Sequence, residues 1–476
     1  MKIVKKESDP KQSIFNIIYI FMGLFVLVMG YFAYFLIVRS NEVINSTYNK
    51  RQEVLSKRIL RGSILSADGE ILAKTVLDKD GNETREYPFD DIFAHVVGRY
   101  DKGKTGIEES ENIRLLTSNV NSLDVMYSDL IGEKSPGDNV ITTLNTKLQQ
   151  VAYDALGNNR GAVVIMEPST GKILAMVSKP SYNPNKVKDN WDKLVEDKNS
   201  ESPLMNRATQ GLYPPGSTFK VLTSLEYIRE NPLYLKYKYD CNGRIEYEGM
   251  AIHCYNNKSH GKLDLPLSFA KSCNTSYASM GKDLDKDKFF SLCEDFLFNK
   301  NLPITMASNP SSFTLRQGQS SVKEAMQTAI GQGNTLITPL HNAMIASTIA
   351  NGGVMMKPYI IDHIENADGG VVKKYTPRIH TKPITPGEAK YIAEMMRKVV
   401  TDGTGSKLKG LDIKAAGKTG SADHAEGKAA HAWFIGFAPY DDPEIAVSII
   451  VESVGTGSDY AVPIAKKIFQ AYDKMN

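Results

Sequence analysis

The hydrophobic pattern of the chain begins with one long apolar segment near the amino terminus. Residues Ile14 to Val38 are 25 consecutive positions without a charged side chain, and Arg39 follows directly. At 1.5 Å of rise per residue, a helix of this length crosses a hydrocarbon core of about 30 Å. A cleaved signal peptide would have a shorter apolar region and a small-residue cleavage site. We therefore predict one uncleaved transmembrane helix at residues 14–38, with a buried core helix as the less favoured alternative.

Positive charges on the two sides of this segment indicate its orientation only weakly. Four lysines lie within the first 12 residues, against Arg39, Lys50 and Arg51 on the other side. Because positively charged flanks tend to stay in the cytoplasm, four against three slightly favours an amino terminus inside the cell. We expect a cytoplasmic tail at residues 1–13 and a single-pass protein of the cytoplasmic membrane.

Short strand patterns separated by turns follow the apolar segment. Residues 61–73 are typical of two strands joined by a turn at Asp68-Gly69. Low hydrophobicity and further turn signals continue to Pro136-Gly137. The pattern predicts a small mixed module at residues 39–136 and a larger domain at residues 137–476.

Strand patterns at both ends of the larger region enclose a mostly helical middle. A helix is predicted at residues 146–156, then strands at 161–166, 172–177, 413–421, 431–438 and 444–453, and a final helix at 462–472. Helical patterns such as 322–330 and 340–350 lie between the two strand groups. A sheet with strands from both ends of the region and helices between them predicts an α+β domain.

Composition and charge exclude several classes of protein. Apolar residues make up 42% and charged residues 23% of the 476 positions, which is close to the globular average and unlike a disordered or collagen-like chain. The 57 basic and 54 acidic residues nearly cancel, and no basic patch indicates binding of nucleic acid. Four cysteines are too few for a disulfide framework, and no C-x-x-C or C-x-x-H pair offers half of a zinc site. We therefore expect no nucleic acid, no metal and no cofactor.

Two groups of residues leave alternatives open. Cys241 and Cys254 lie 13 positions apart and could form one disulfide outside the cell, but two unpaired thiols are the favoured interpretation. Asp423, His424 and His431 are residue types that bind zinc, and structural roles are the favoured interpretation for them.

The first candidate for catalysis is a Ser-x-x-Lys sequence where a turn runs into a helical pattern. Pro-Pro-Gly precedes Ser217, which predicts that Ser217 lies in the first helical turn. Lys220 follows three residues later on the same face, where its amine should reach the Ser217 hydroxyl. Lysine acts as a base only when it is neutral, so burial and a neighbouring cation must lower its pKa from about 10.4 towards about 7.

Ser-x-x-Lys alone is weak evidence, since about three copies arise by chance in such a chain. Two further elements follow it in order. Ser272-Cys-Asn274 begins 55 residues after Ser217 in a stretch with helical spacing, and Lys418-Thr-Gly420 lies at the end of a predicted strand. Together the three elements place a nucleophile, two amines, a second hydroxyl and an amide in one candidate site.

In this order the three elements resemble the signature of the serine penicillin-recognising enzymes, which are penicillin-binding proteins and serine β-lactamases. Arg61-Gly-Ser-Ile with Asp68-Gly is similar to the amino-terminal signature of class B penicillin-binding proteins. Similarity to that class extends to Asn206-Arg-Ala208, Gly331-Gln-Gly333, Thr338-Pro339, His431-Ala-Trp-Phe434 and Gly436-Phe-Ala-Pro439. The resemblance covers residues 60–476. It implies a β-lactamase/transpeptidase-like domain with a central antiparallel sheet flanked by helices, preceded by a pedestal or dimerisation-type module.

The resemblance also implies a reaction. Ser217 would attack the carbonyl of the D-Ala-D-Ala end of a peptidoglycan stem peptide while Lys220 removes its proton. Terminal D-Ala would leave, and an amine of a neighbouring stem would resolve the acyl-enzyme into a crosslink. Ser272 and Lys418 would relay protons to the leaving nitrogen, and Asn274 would hold the substrate amide.

Substrate-binding roles are implied for the strand that carries the third element. Thr419 would bind the terminal carboxylate, and Gly420 and Ser421 would line the same edge. The backbone N–H groups of Ser217 and Ser421 would form the oxyanion hole. β-Lactams would acylate the same serine.

Other functions use the same three elements. A D,D-carboxypeptidase or β-lactamase would replace the amine acceptor by water, and a β-lactam sensor or non-catalytic scaffold would not turn over. The uncleaved anchor and the module favour the transpeptidase, and a tail of 13 residues leaves no room for an output domain. The module is also too small for a glycan-polymerising domain, so the resemblance implies a polytopic membrane glycosyltransferase as a partner. A role in elongation, division or sporulation stays open.

Overall fold

The computed structural model describes residues 10–39, 51–198 and 201–475. Its helices, in chain order, are α1 Pro10–Tyr34, α2 Arg51–Arg58, α3 Ala94–Val97, α4 Gly106–Ser110, α5 Asn112–Leu115, α6 Ser122–Ile131, α7 Thr146–Leu156, α8 Val187–Glu196, α9 Arg207–Gln210, α10 Lys220–Glu230, α11 Leu265–Ala270, α12 Asn274–Asp283, α13 Lys286–Asp295, α14 Val322–Ala329, α15 Pro339–Ala350, α16 Pro386–Asp402 and α17 Ala461–Asp473. Its strands are β1 Ile59–Leu60, β2 Ile64–Leu65, β3 Ile71–Leu77, β4 Glu83–Glu86, β5 Ser135–Pro136, β6 Asn139–Thr142, β7 Gly161–Met166, β8 Ile173–Lys179, β9 Tyr239–Cys241, β10 Arg244–Tyr247, β11 Met250–His253, β12 Gly261–Leu263, β13 Met355–Met356, β14 Ile361–Glu365, β15 Val371–Lys374, β16 Ile379–Thr381, β17 Ala416–Ala422, β18 His431–Ala438 and β19 Ile445–Val451.

The apolar segment is helical throughout, as its pattern predicts. Helix α1 continues as a π-helical turn over Phe35–Arg39. Residues Ile14–Ile37 have a mean hydropathy of 2.3 and are long and apolar enough to cross a membrane. Their apolar side chains are exposed, as those of a lipid-facing helix would be. Most of the predicted tail at residues 1–13 lies outside the described residues.

A sheet of six strands joins the small module to a later part of the chain. Its order is β15-β14-β6-β2-β3-β4, and the predicted hairpin at residues 61–73 is present as β2 and β3. Strand β6 pairs with β2 in parallel and with β14 in antiparallel orientation. Two strands from residues 361–374 therefore complete a sheet that begins at residue 64. The boundary at residue 136 stays a prediction.

A buried ion triad holds the first signature of the module in place. Glu108 is fully buried and accepts hydrogen bonds from Arg61 Nε at 2.8 Å and Arg85 Nε at 2.7 Å. Burial raises the pKa of Glu108, but the two guanidinium groups hold it below its usual value. Arg61 also donates to the Asn112 side chain at 2.6 Å. The arginine of Arg61-Gly-Ser-Ile therefore joins β-strands to the helices α4 and α5.

The larger domain is built on a five-stranded antiparallel sheet with the order β17-β18-β19-β7-β8. Strands from both ends of the domain meet in it, as predicted. Strands β18, β19 and β7 are buried along their whole length, which is typical of a sheet covered on both faces. Helix α15 packs on one face, and α7 and α17 pack on the other. Strand β17 is an edge strand, which leaves its outer edge open to the functional site.

Candidate active site

Ser217 lies where a short turn enters the helix that carries Lys220. Residues Gly216–Phe219 form a 3-10 turn that runs directly into helix α10 at Lys220, so Ser217 lies in the first helical turn, as predicted. Gly216 has a φ of +53°, and a Cβ there would lie 2.7 Å from the Ser421 carbonyl oxygen. Glycine therefore allows the turn to pack directly on strand β17.

Gly331, the first residue of Gly331-Gln-Gly333, supports the same turn. Its carbonyl oxygen accepts a hydrogen bond from the Gly216 N–H at 2.9 Å. Gly331 has a φ of +79°, and a Cβ there would lie 1.9 Å from the Gly216 carbonyl oxygen. No side chain fits into this contact, so two distant glycines together set the position of Ser217.

The Lys220 side chain is fully buried and reaches the second element. Its Nζ donates to the Ser272 carbonyl oxygen at 2.9 Å and to Asn274 Oδ1 at 2.8 Å. Burial lowers the pKa of Lys220 to about 8, although the nearby Cys273 and Cys254 oppose this shift when ionised. Among the hydrogen bonds of the described residues, none joins this amine to the Ser217 hydroxyl. The predicted contact with Ser217 therefore stays a prediction.

The second element spans the junction of two helices, with Asn274 as the first residue of α12, so the prediction that it lies inside a helical stretch is wrong. Helix α11 ends at Ala270, and Ser272 has a φ of +55° in the left-handed region. The Cys273 side chain then accepts a hydrogen bond from the Ser276 N–H and caps the start of α12. This turn breaks the helical spacing and brings Ser272 next to both buried amines.

Lys418 lies on the edge strand β17 and is also fully buried. Its Nζ donates to the Ser272 hydroxyl at 2.9 Å and to the Thr419 carbonyl oxygen at 2.9 Å. Burial and the nearby Lys220 hold the pKa of Lys418 well below its ordinary value. Two amines with lowered proton affinity thus meet at one serine hydroxyl.

The three elements line one open cleft of about 1220 Å³. Six of the predicted site residues border it: Ser217, Ser272, Asn274, Thr419, Gly420 and Ser421. Lys220 and Lys418 are buried and reach the Ser272 hydroxyl, which faces the cleft. Strand β17 ends the sheet, and an edge strand is where an extended ligand can pair. The structure therefore brings all eight predicted residues together.

Thr404 belongs to the site but carries no recognisable motif. Its hydroxyl pairs with the Thr419 hydroxyl, and both residues line the cleft.

Glu452 is a second residue of the site that no sequence motif indicates. It accepts hydrogen bonds from Arg207 Nε and from the Tyr213 hydroxyl, each at 2.7 Å, and so anchors the segment that leads to Ser217. Glu452 lies more than 200 residues from both Arg207 and Tyr213, which explains why local patterns miss its contacts.

Of the group Asp423, His424 and His431, the two histidines contact each other and the neighbouring backbone. His424 and His431 stack with ring centroids 3.8 Å apart, and His431 Nδ1 accepts the Ser453 backbone N–H at 3.0 Å. Burial and His424 lower the pKa of His431 to about 4. Trp433 is fully buried and donates to the Pro214 carbonyl oxygen at 3.0 Å, so it belongs to the core beneath the turn.

Comparison with known proteins places this geometry in a family. The model of the penicillin-binding protein transpeptidase domain matches residues 161–470, and that of the penicillin-binding protein A dimerisation domain matches residues 61–140. The peptidoglycan D,D-transpeptidase PbpA of Mycolicibacterium smegmatis is 34% identical over 86% of this chain and 88% of its own length. PbpA of Mycobacterium tuberculosis strain H37Rv is 32% identical over the same shares.

Solved structures agree with this placement. The ceftriaxone acyl-enzyme complex of penicillin-binding protein A from M. tuberculosis superimposes with a TM-score of 0.81 at 30% identity, over 88% of this chain and 99% of that one. A D,D-transpeptidase domain from Eggerthella lenta superimposes with a TM-score of 0.80 at 30% identity, over 88% and 99%. The chain belongs to the penicillin-binding protein transpeptidase family.

Proposed function

We propose that this chain is a peptidoglycan D,D-transpeptidase that forms its acyl-enzyme on Ser217 and that β-lactams acylate the same residue. The observation that carries the proposal is the meeting of Ser217, Ser272 and the Lys418 strand at one cleft, with the Lys220 amine beneath it. The similar M. tuberculosis protein forms acyl-enzyme complexes with ceftriaxone, imipenem and penicillin G, which supports the same chemistry here.

Lys220 acts as the base in this proposal. With a pKa of about 8, the Lys220 amine is neutral in roughly a tenth of the molecules at pH 7. Neutral Lys220 takes the Ser217 proton as the oxygen attacks the D-Ala-D-Ala carbonyl. The negative charge that develops on the carbonyl oxygen is stabilised by the backbone N–H groups of Ser217 and Ser421.

The leaving D-Ala nitrogen then needs a proton. Ser272 accepts a hydrogen bond from Lys418 and lies 3.4 Å from Lys220, so its hydroxyl can carry a proton between the amines and the cleft. Asn274 holds the substrate amide in this proposal, and its Oδ1 also positions the Lys220 amine. The same groups act in reverse when a stem-peptide amine attacks the acyl-enzyme.

Thr419, with Thr404 beside it, binds the substrate carboxylate, and Gly420 and Ser421 line the edge to which the stem peptide pairs. A Cβ on Gly420 would lie 3.0 Å from Trp433 Cβ, so this part of the strand packs closely on the core. The names of the relatives favour an amine over water as the acceptor. Hydrolysis by a D,D-carboxypeptidase or β-lactamase is the second candidate.

The apolar helix anchors the enzyme in the cytoplasmic membrane, with the amino terminus inside and the cleft facing the cell wall. A polytopic membrane glycosyltransferase supplies the glycan strands, contacted through this helix and the module. Protease digestion of intact spheroplasts tests the orientation: the cleft domain should be cut from outside while an amino-terminal tag stays protected. Co-purification of such a glycosyltransferase with the full chain, but not with a chain lacking α1, tests the partner.

Fluorescent penicillin tests the chemistry. The full chain in detergent should be labelled on Ser217, as peptide mapping will show, and Ser217→Ala should abolish the label. Ser169→Ala is the matched control, because it changes another Ser-x-x-Lys copy on an exposed turn. Stem peptide should give a crosslinked product when an amine acceptor is present. A label on another residue contradicts the proposal, and D-Ala release without crosslinked product favours the hydrolytic candidate.

A further inference from the structure

Three cysteines and one histidine converge directly behind the second element of the site. Cys254 Sγ lies 3.7 Å from Cys241 Sγ and 3.7 Å from Cys273 Sγ, and His260 Nδ1 lies 3.4 Å from Cys241 Sγ. All four of these atoms lie within 4.8 Å of one another. The three thiols are buried, and each cysteine is free. We call Cys241, Cys254, His260 and Cys273 the thiol cluster.

The spacing in the thiol cluster is that of tetrahedral zinc coordination. Zn–S bonds of about 2.3 Å and Zn–N bonds of about 2.0 Å place neighbouring sulfurs about 3.8 Å apart and sulfur and nitrogen about 3.5 Å apart. The distance of 3.7 Å between the Cys241 and Cys254 sulfurs and that of 3.4 Å between Cys241 Sγ and His260 Nδ1 agree with these values. A disulfide would instead bring two sulfurs to about 2.05 Å and leave the third thiol and the imidazole outside the bond. We infer that the thiol cluster binds one Zn²⁺ ion through a Cys₃His ligand set.

The surrounding segment depends on such a link because it has little core of its own. Residues 239–263 form only two-stranded pairs, β9 with β12 and β10 with β11. Apart from the three cysteines, the local cluster has one buried apolar residue, Leu263, with Tyr239 and Leu267 packed against it. Isolated two-stranded hairpins are marginal in water, and short segments without a core are commonly held by a metal or a disulfide.

Hydrogen-bond donors surround the sulfurs as they do around bound zinc. The Thr275 Oγ1 atom lies 3.3 Å from Cys241 Sγ and Cys273 Sγ and 3.6 Å from Cys254 Sγ. The Ser276 backbone N–H points at Cys273 Sγ over 3.5 Å. Such outer contacts orient thiolate ligands and tune the affinity of a zinc site. His260 and Cys254 line the catalytic cleft, which provides a path of entry for the ion.

The position of Cys273 connects the metal site to the active site. Cys273 is the middle residue of Ser272-Cys-Asn274 and caps helix α12. An ion bound there ties strand β9, the turn after β11 and the segment before β12 to the backbone that presents Ser272 and Asn274. Zinc therefore has a structural role: its loss should loosen both side chains. Metal binding itself does not depend on the proposed transpeptidase activity.

Metal analysis of the full chain, purified in detergent without chelator, tests this inference. We expect about one zinc per chain, and at least about a tenfold lower content in Cys254→Ser and His260→Ala. Cys293→Ser is the matched control, because Cys293 is a buried free cysteine in α13 outside the thiol cluster. It should keep the zinc of the parent chain. Because His260 is only partly buried, its variant should fold even where Cys254→Ser does not.

Two further measurements need no variant. Replacing zinc by Co²⁺ should produce the thiolate-to-metal charge-transfer band and the intense visible bands of a tetrahedral site. Four thiols should react after denaturation without reductant, since none is in a disulfide. Two reactive thiols, or a zinc content that Cys254→Ser and His260→Ala leave unchanged, would overturn the inference. Penicillin labelling of Ser217 in the same samples reports on the proposed function separately.

Discussion

The Lys418 amine donates a hydrogen bond of 2.9 Å to the Ser272 hydroxyl, and the Lys220 amine lies 3.4 Å from the same oxygen. Both amines are fully buried, which lowers the pKa of each, and the nearby Lys220 lowers the pKa of Lys418 further. One hydroxyl that connects two amines of lowered pKa is suited to moving a proton rather than to holding a fixed ion pair.

Replacing Lys220 should remove the base while leaving the site folded. Lys220→Met keeps the length of the buried side chain, and we expect the rate of penicillin acylation to fall about 10²- to 10⁴-fold, the usual contribution of general base catalysis. Rapid-quench labelling with a fluorescent penicillin measures this rate. Lys147→Met on the exposed face of α7 is the control and should acylate at the parent rate. An unchanged rate in Lys220→Met would show that another group takes the Ser217 proton.

Acylation should depend on pH in a defined direction. Burial places the pKa of Lys220 at about 8, and its neutral form is the active one. The rate should therefore rise with pH, reach half its maximum near pH 8, and level off about one unit above. The second-order acylation rate, measured across this range with one β-lactam, gives the profile. A flat profile through pH 8 contradicts the assignment of Lys220 as base.

Removing the connecting hydroxyl should impair proton transfer more than binding. Ser272→Ala takes away the acceptor of the Lys418 hydrogen bond but keeps the turn between α11 and α12. We expect a loss of about 10²-fold in the acylation rate at saturating β-lactam, with a smaller change in the concentration that half-saturates it. If only the half-saturating concentration changes, Ser272 binds substrate and does not relay protons.

Two glycines with similar backbone conformations, Gly331 and Gly369, should differ sharply in how well they tolerate substitution by alanine. A Cβ on Gly331 would lie 1.9 Å from the Gly216 carbonyl oxygen, whereas a Cβ on Gly369 has open space around it. Their φ values are +79° and +81°, so strain from positive φ is shared and costs about 1 kcal/mol in each alanine variant. Gly331→Ala should cost several times more and abolish penicillin labelling, while Gly369→Ala should keep it. Denaturant unfolding and labelling measure the two effects, and equal losses in both variants contradict the close contact.

The buried ion triad predicts a stability effect in the module. Glu108→Gln leaves Arg61 and Arg85 buried without a counter-charge, which should cost about 3–5 kcal/mol. Glu83→Gln breaks a partly exposed pair with Lys134 and should cost less than about 1 kcal/mol. Hydrogen exchange of residues 61–115 follows the module directly. Similar protection in both variants would show that Glu108 does not hold the signature arginine in place.

Local patterns predicted the elements of the site because those patterns are set by neighbours in the chain. The apolar run at residues 14–38, the hairpin around Asp68-Gly69 and the turn before Ser217 each depend on a few consecutive residues. The late strands were found within three residues of their bounds, since buried strands are continuous apolar runs. The helical spacing around residue 272 led to a wrong prediction of helix there, because Ser272 has a left-handed backbone conformation that interrupts the helix.

The sequence by itself therefore predicted the chemistry: which side chains we propose as nucleophile, base and substrate edge, and on which elements they lie. Only the tertiary structure decided which of them meet. The Lys418 amine reaches Ser272 across 146 residues of chain, and the thiol cluster gathers ligands whose spacing matches no short metal motif. Such contacts arise from packing the edge strand and the helical middle around one core. The free energy of that packing depends on contacts throughout the fold, so it cannot be read from a short segment of the sequence.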